Sequence, residues 1–340
     1  MITQLLEHLI HGRDLGQDEA RDLMGAIMDG AVGEAPLAAV LTALRIKGET
    51  IDEIAGFAAA MRERAVPVRP RRGGLADTCG TGGDGKHTFN ISTAAALVAA
   101  AMGIGIAKHG NRAISSRSGS ADVLEALGVN IALPPAAVAE SIDRVGIGFL
   151  FAPLHHPAMK HAAPVRRQLG VRTVFNLLGP LTNPAGVKRQ LVGVYRPELT
   201  DVICAVLARL GAERAFVVHG LDGTDEVSIA AETRVSELAG GEVRTYSFAP
   251  EEAGLGRAAP GAIAGGDAAA NATRLRAIFA GEEGPLADAI ALNAGFVAMA
   301  AGRAASPADG VELARRVITG GDAAELLERL RSVSQELAHA

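Results

Sequence analysis

Apolar residues in the first seventy positions recur three and four apart. Ala20, Leu23, Met24, Ile27 and Met28 form one stripe, Leu37, Val40, Leu41 and Leu44 a second, and Ile51, Ile54, Ala55, Ala58 and Met61 a third. Such positions share one face of an α-helix, so the pattern predicts three amphipathic helices in succession. Thr50 and Glu53 stand at capping-box spacing ahead of the third, and Gly30 and Gly48 close the first two. Each stripe must be buried against its neighbours or an adjoining surface. Val66-Pro67-Val68-Arg69-Pro70-Arg71-Arg72-Gly73-Gly74 then breaks every regular pattern and reads as a linker.

Beyond the linker, short β-like runs alternate with Ala-rich helical stretches: Leu75 to Cys79, Ile104 to Ala107, Ile147 to Phe151, Gln190 to Val194 and Arg214 to Val218. This alternation predicts an α/β fold with a mostly parallel central sheet covered by helices. In such sheets the functional site lies at the carboxyl ends of the strands. The longest apolar run, Ala94 to Ala107, is shorter than the roughly 20 residues of a membrane-spanning helix and reads as core.

Composition narrows the function classes. The chain has 340 residues, 49% of them hydrophobic and 21% charged, as expected of a globular protein with a sizeable core. Aromatic residues make up only 3% and the formal charge is −5, so both stacking platforms and the cationic excess of a nucleic-acid binder are missing. Cys79 and Cys204 are too few for a disulfide framework and have no metal-ligand spacing. With no basic, cleavable leader at the N-terminus, these features place the protein in the cytoplasm.

The candidate chemistry sits just after the strands. Asp77-Thr78-Cys79-Gly80-Thr81-Gly82-Gly83-Asp84-Gly85 follows the first, and Asn90-Ile91-Ser92-Thr93 opens the next helix. Glycines let the backbone approach a ligand, and loop and helix-start amides offer donors to an anion. A nucleotide-binding P-loop fails here because His87 stands where Ser or Thr should hold the metal, and a dinucleotide fingerprint lacks its later acidic residue. Lys108-His109-Gly110-Asn111-Arg112-Ala113-Ile114-Ser115-Ser116, continuing through Ser118-Gly119-Ser120-Ala121-Asp122, follows the second strand. Its cations and hydroxyls suit a highly charged polyphosphate. After the strand Arg214 to Val218 come Asp225 and Glu226, adjacent carboxylates able to hold Mg²⁺ alongside substrate phosphates. A further stretch, Lys160 to Pro184, carries Arg166, Arg167 and Arg172 before a Gly179-Pro180 turn; arginine forks suit a planar carboxylate.

In this order, Gly80-Thr81-Gly82-Gly83-Asp84-Gly85, Asn90-Ile91-Ser92-Thr93, Lys108-His109-Gly110-Asn111-Arg112, Gly119-Ser120-Ala121-Asp122, Arg172 through Pro184 and Asp225-Glu226 resemble the anthranilate phosphoribosyltransferases. The likeness covers nearly the whole chain and is highest between residues 77 and 228. It implies a homodimer of the nucleoside-phosphorylase-like class, in which a small all-helical domain (1–70 plus about 165–188) is hinged to a large α/β domain (71–164 plus about 189–340). It also implies that Gly80, Gly83, Asp84, Thr88, Asn90, Ile91, Ser92, Thr93, Lys108, His109, Gly110, Asn111, Arg112, Ala113, Ile114, Ser115, Ser116 and Ser120 bind 5-phosphoribosyl-1-diphosphate (PRPP). Ser92, Asp225 and Glu226 would hold Mg²⁺, two ions per subunit, and Gly80, Asn111 and Arg166 would contact anthranilate, with His109 and Pro180 nearby. The implied reaction, a step of tryptophan biosynthesis, transfers the phosphoribosyl group to the anthranilate amine. Because an aromatic amine is already neutral at pH 7, no residue is assigned as acid or base. A pyrimidine nucleoside phosphorylase and a noncatalytic nucleic-acid-binding relative are the alternatives; the latter should be basic and lack the Asp225-Glu226 pair.

Overall fold

The computed structural model describes residues 2–113, 117–259 and 261–338. The chain opens with four helices, α1 (Ile2–Ile10), α2 (Gln17–Met28), α3 (Glu34–Lys47) and α4 (Ile51–Glu63). The last three carry the three stripes, every member of which is buried except Ile51, which is partly so. α1 is an addition to the sequence reading: it is short, with only Leu5 and Leu9 fully buried. The capping box forms, with Thr50 Oγ1 accepting from the Glu53 amide at 3.2 Å and Glu53 Oε2 from the Thr50 amide at 2.8 Å. Glu53 is also wholly buried, and Lys47 Nζ at 2.9 Å and the Leu15 amide at 2.9 Å satisfy its charge. The linker is irregular but held: the Val66 amide donates to His155 O at 2.8 Å and the Val68 amide to Pro184 O at 3.1 Å.

Seven strands follow: β1 (Ala76–Gly80), β2 (Ile106–Gly110), β3 (Ile147–Phe151), β4 (Arg189–Gly193), β5 (Arg214–Gly220), β6 (Thr233–Ala239) and β7 (Glu242–Phe248). They form one sheet in the order β3-β2-β1-β4-β5-β6-β7. The first five are mutually parallel, and β6 and β7 extend the edge as antiparallel strands. Strand order reverses between β1 and β4, which makes that gap the topological switch point where α/β sheets bind ligands. Helix α5 (Ile91–Ala101) returns the chain from β1 to β2 and is apolar nearly all round because it is covered on several sides. One face of the sheet packs on α5 and on the helix Pro285–Ala300. The other face shares a continuous core with α1–α4 and with the segment Ala162–Leu181. Among the described residues no helix is long and apolar enough to cross a membrane.

Candidate functional site

The carboxyl ends of β1, β2 and β5 lead into the three loops singled out above, all on one edge of the sheet. The glycine loop and the acidic loop are in direct contact: the Gly82 amide donates to Asp225 Oδ2 at 2.8 Å, and Lys86 lies over Gly223. The start of α5 joins them, since the Ser92 amide donates to Glu226 Oε1 at 3.2 Å. Asn90 ties the second loop in, its Nδ2 donating to Ser118 O at 3.0 Å while its Oδ1 accepts from Asn271 at 2.8 Å. These contacts bring the glycine loop, the start of α5, the segment after β2 and the acidic loop together at the switch point.

Asp225 reaches this position because two glycines leave room for it. A Cβ on Gly80, the last residue of β1, would lie 2.4 Å from Asp225 Oδ2; one on Gly193, the last of β4, would lie 1.6 Å from the Asp225 carbonyl oxygen. Gly193 escapes a motif search because its contribution is the absence of a side chain. Behind the acidic loop, Asn293 clamps Val227 on both sides, accepting from its amide and donating to its carbonyl, each at 3.0 Å.

Burial, reinforced by the adjacent Asp84, pushes the Asp225 carboxyl well above the usual carboxylate range; burial and Asp225 do the same to Glu226. Among the described residues Asp84 Oδ2 is buried without a hydrogen-bond donor. Among the described residues no three His, Cys, Asp or Glu are arranged to hold a metal on their own. Crowded carboxylates with an unsatisfied oxygen fit a hard divalent cation that takes the rest of its ligands from water and a substrate's phosphates, as Mg²⁺ does.

Several expected donors are engaged with protein groups. Lys108 is 2% exposed, its Nζ donating to Thr78 O at 2.6 Å beside buried Asp77. Arg112 makes two bonds to Glu125, at 2.8 and 3.1 Å, and one to Asp122 at 3.1 Å. The Ala113 amide donates to Asp122 at 2.9 Å, and Ser120 Oγ to Asn111 O at 3.2 Å, so this loop curls over its own helix start. A Cβ on Gly110 would meet Ser120 Oγ at 2.2 Å, so the turn out of β2 is tightly packed. Thr88 bridges to Ala264, and Ile91 and Thr93 are buried in the first turn of α5. Gly83 sits beneath the Arg172 guanidinium, which also stacks 4.4 Å from the Tyr195 ring centroid. Ile114, Ser115 and Ser116 lie outside the described residues.

Arg166 stands apart from these. Its guanidinium lies 5.1 Å from the Phe175 ring centroid, burial lowers its pKa, and it pairs with no carboxylate among the described residues. Around the Gly179-Pro180 turn are three buried imidazoles. His109 Nδ1 lies 3.2 Å from Gly179 O, His155 Nδ1 lies 3.2 Å from Val66 O, and the His109 and His156 rings are 5.1 Å apart. Each leaves Nε2 buried and without a partner among the described residues. Burial pushes His109 down to about 3 and His156 to about 4, so both are neutral at pH 7. The sequence pattern had singled out His109 but gave no sign of His155 or His156.

The match to known proteins spans the whole of this architecture. Residues 3–65 match the helical bundle domain and residues 72–324 the a/b domain of the glycosyl transferase family. Anthranilate phosphoribosyltransferase from Moorella thermoacetica is 52% identical over 330 residues, covering 97% of each chain. The chain belongs to the anthranilate phosphoribosyltransferase family. The crystal structure of the Thermus thermophilus anthranilate phosphoribosyltransferase superposes with a TM-score of 0.92 at 51% identity, covering 97% of this chain and 99% of that one. The Saccharomyces cerevisiae enzyme in complex with PRPP and Mg has a TM-score of 0.90 at 28% identity, with 98% of each chain covered. A second yeast complex, with 4-fluoroanthranilate, has a TM-score of 0.89 at 27% identity over 98% of each chain.

Proposed function

We propose that this transferase moves the 5-phosphoribosyl group from PRPP to the amine of anthranilate, releasing diphosphate, in tryptophan biosynthesis. The observation that carries the reading is the meeting of the glycine loop, the α5 start and the Asp225-Glu226 loop at the switch point, in a chain whose full-length relatives bear this name. Loop amides between Gly80 and Thr93 would receive the phosphates, with Asn111 and Ser120 opposite. Asp225, Glu226 and Ser92 would hold Mg²⁺, two ions per subunit, and the yeast relative with PRPP and Mg supports the metal. When bound, the metal neutralises charge that builds on the leaving diphosphate.

Anthranilate would enter beside Arg166, whose unpaired guanidinium suits its carboxylate, with Gly80 and Asn111 towards the ribose. Neutral His109 and the Gly179-Pro180 turn would wall this end, and the relative with 4-fluoroanthranilate supports the substrate class. Holding the neutral amine in line with the departing diphosphate is the main task left to the protein. We assign residues 1–70 and about 165–188 to the small domain, the remainder to the large one. We also infer a cytoplasmic homodimer: Ile10 and Ile46, 61% and 80% exposed, lie on the packed pair α1 and α3 and offer apolar surface to a second copy.

Loss of anthranilate fluorescence on mixing with PRPP and Mg²⁺ tests the activity; phosphorolysis of thymidine or uridine without it would point to a nucleoside phosphorylase instead. Replacing Asp225 and Glu226 together by Ala should abolish Mg²⁺-dependent turnover in a folded protein. Near-normal activity in that variant would remove the metal assignment.

A further inference from the structure

At the amino-terminal edge of the sheet, opposite the catalytic loops, a cavity of about 340 Å³ opens between the linker and the starts of β1, β4 and β5. Its charged lining is Arg69, Arg72, Lys188 and Arg189 against one carboxylate, Glu213. That concentration of cations stands in a chain whose net charge is −5.

Arg72 is held elsewhere, its guanidinium donating to Gly103 O and packing against Gly105 and Gly146, but the other three cations are poorly satisfied by described residues. Glu213 lies 3.6 Å from Lys188 Nζ and 3.5 Å from Arg189 Nη2, longer than the roughly 2.7–2.9 Å of a charge-assisted hydrogen bond. Arg69 has no hydrogen bond or ion pair with any described residue. The walls are fixed all the same: the Arg72 amide donates to Asp143 at 2.9 Å, the Val68 amide to Pro184 O at 3.1 Å, and the Ala185 amide to Asn183 at 2.9 Å. A fixed cleft with underused arginine forks is built for an oxyanion. Its volume lies at the small end of ligand pockets, enough for a phosphate with a short organic group.

We propose that this cleft binds a small phosphate dianion, at a site separate from that of the transferase reaction. The ligand would bridge Arg69 of the linker to Lys188 and Arg189 at the head of β4. Free phosphate and an organic phosphate monoester share this chemistry.

Amide hydrogen exchange locates the binding without using turnover, so its outcome is independent of the reaction proposed above. Inorganic phosphate, compared with chloride at equal ionic strength, should slow exchange in residues 69–75 and 185–189 as well as in the glycine loop. Ribose 5-phosphate forms a second arm: protection of the cleft at lower concentration than phosphate assigns an organic monoester, and equal concentrations assign free phosphate. The double variant Arg69→Glu/Lys188→Glu should lose the cleft protection while keeping that of the glycine loop and its turnover. Protection confined to the glycine loop, or cleft protection that survives in the double variant, overturns the proposal.

Discussion

Replacing Gly80 by Ala tests whether Asp225 is placed by empty space. The new Cβ would stand 2.4 Å from Asp225 Oδ2 and 3.1 Å from Cγ, while ordinary contact begins at 3.4 Å, so the carboxylate must withdraw by about 1 Å. That movement pulls Oδ2 away from the Gly82 amide, now at 2.8 Å, and shifts any metal ion held there relative to the phosphates. A displacement of about 1 Å costs on the order of 10²-fold in rate, close to 2.7 kcal/mol of transition-state stabilisation. The yielding group is a side chain at the edge of a cleft, so the fold should survive. Initial rates of anthranilate consumption should show kcat/KM lowered about 100-fold, with the thermal midpoint within a few degrees of the parent. Gly193→Ala is the contrast: its Cβ would fall 1.6 Å from the Asp225 carbonyl oxygen and 2.5 Å from the carbonyl carbon, where only backbone could give way. It should lose several kcal/mol of stability, roughly 4 or more. Turnover of Gly80→Ala within about threefold of the parent would refute the argument.

Acid should destabilise the protein through its buried imidazoles. The folded-state pKa values of His109 and His156, about 3 and about 4, lie below the ordinary 6.5, so their contribution is complete above pH 6.5 and drains as pH falls towards those values. Each should cost roughly 2–3 kcal/mol between pH 6.5 and 4.5 in chemical denaturation. His156→Asn should flatten that slope, and an unchanged slope would count against the account. Lys47→Ala leaves the wholly buried Glu53 without its 2.9 Å partner and should cost about 3 kcal/mol by the same measurement; Glu53→Gln in addition should recover part of it. Arg172→Ala removes the guanidinium that holds Gly83 against Tyr195 and should raise the KM for PRPP more than it lowers kcat, read from initial rates at varied PRPP. Equal effects on both parameters would show that the contact acts elsewhere.

What the sequence made legible followed from periodicity and loop chemistry. Three of the four N-terminal helices carry long stripes; α1 was missed because two buried leucines make a short signal. β1, β2 and β5 end later than the apolar runs because Gly80, Gly110 and Gly220 continue the ladder after each run has stopped. The β6–β7 hairpin was missed because β7 is an edge strand with mostly exposed residues. The Gly240-Gly241 pair, at φ 59° and 85°, is the two-residue turn that could have revealed it. In the site, the residues that offer charge or amides were visible as motifs. Those that act by yielding space or by fixing a neighbour, such as Gly193 and Asn293, depend on contacts between segments far apart in sequence.

The shared core of α1–α4 and Ala162–Leu181 sets a timetable for synthesis. The four helices leave the ribosome early, but the stretch that completes their cover is encoded about 100 residues later. At roughly 5–20 residues per second the nascent bundle waits about 5–20 s with part of its greasy side bare. Slower elongation between codons 65 and 160 should therefore lengthen the time this chain depends on chaperones.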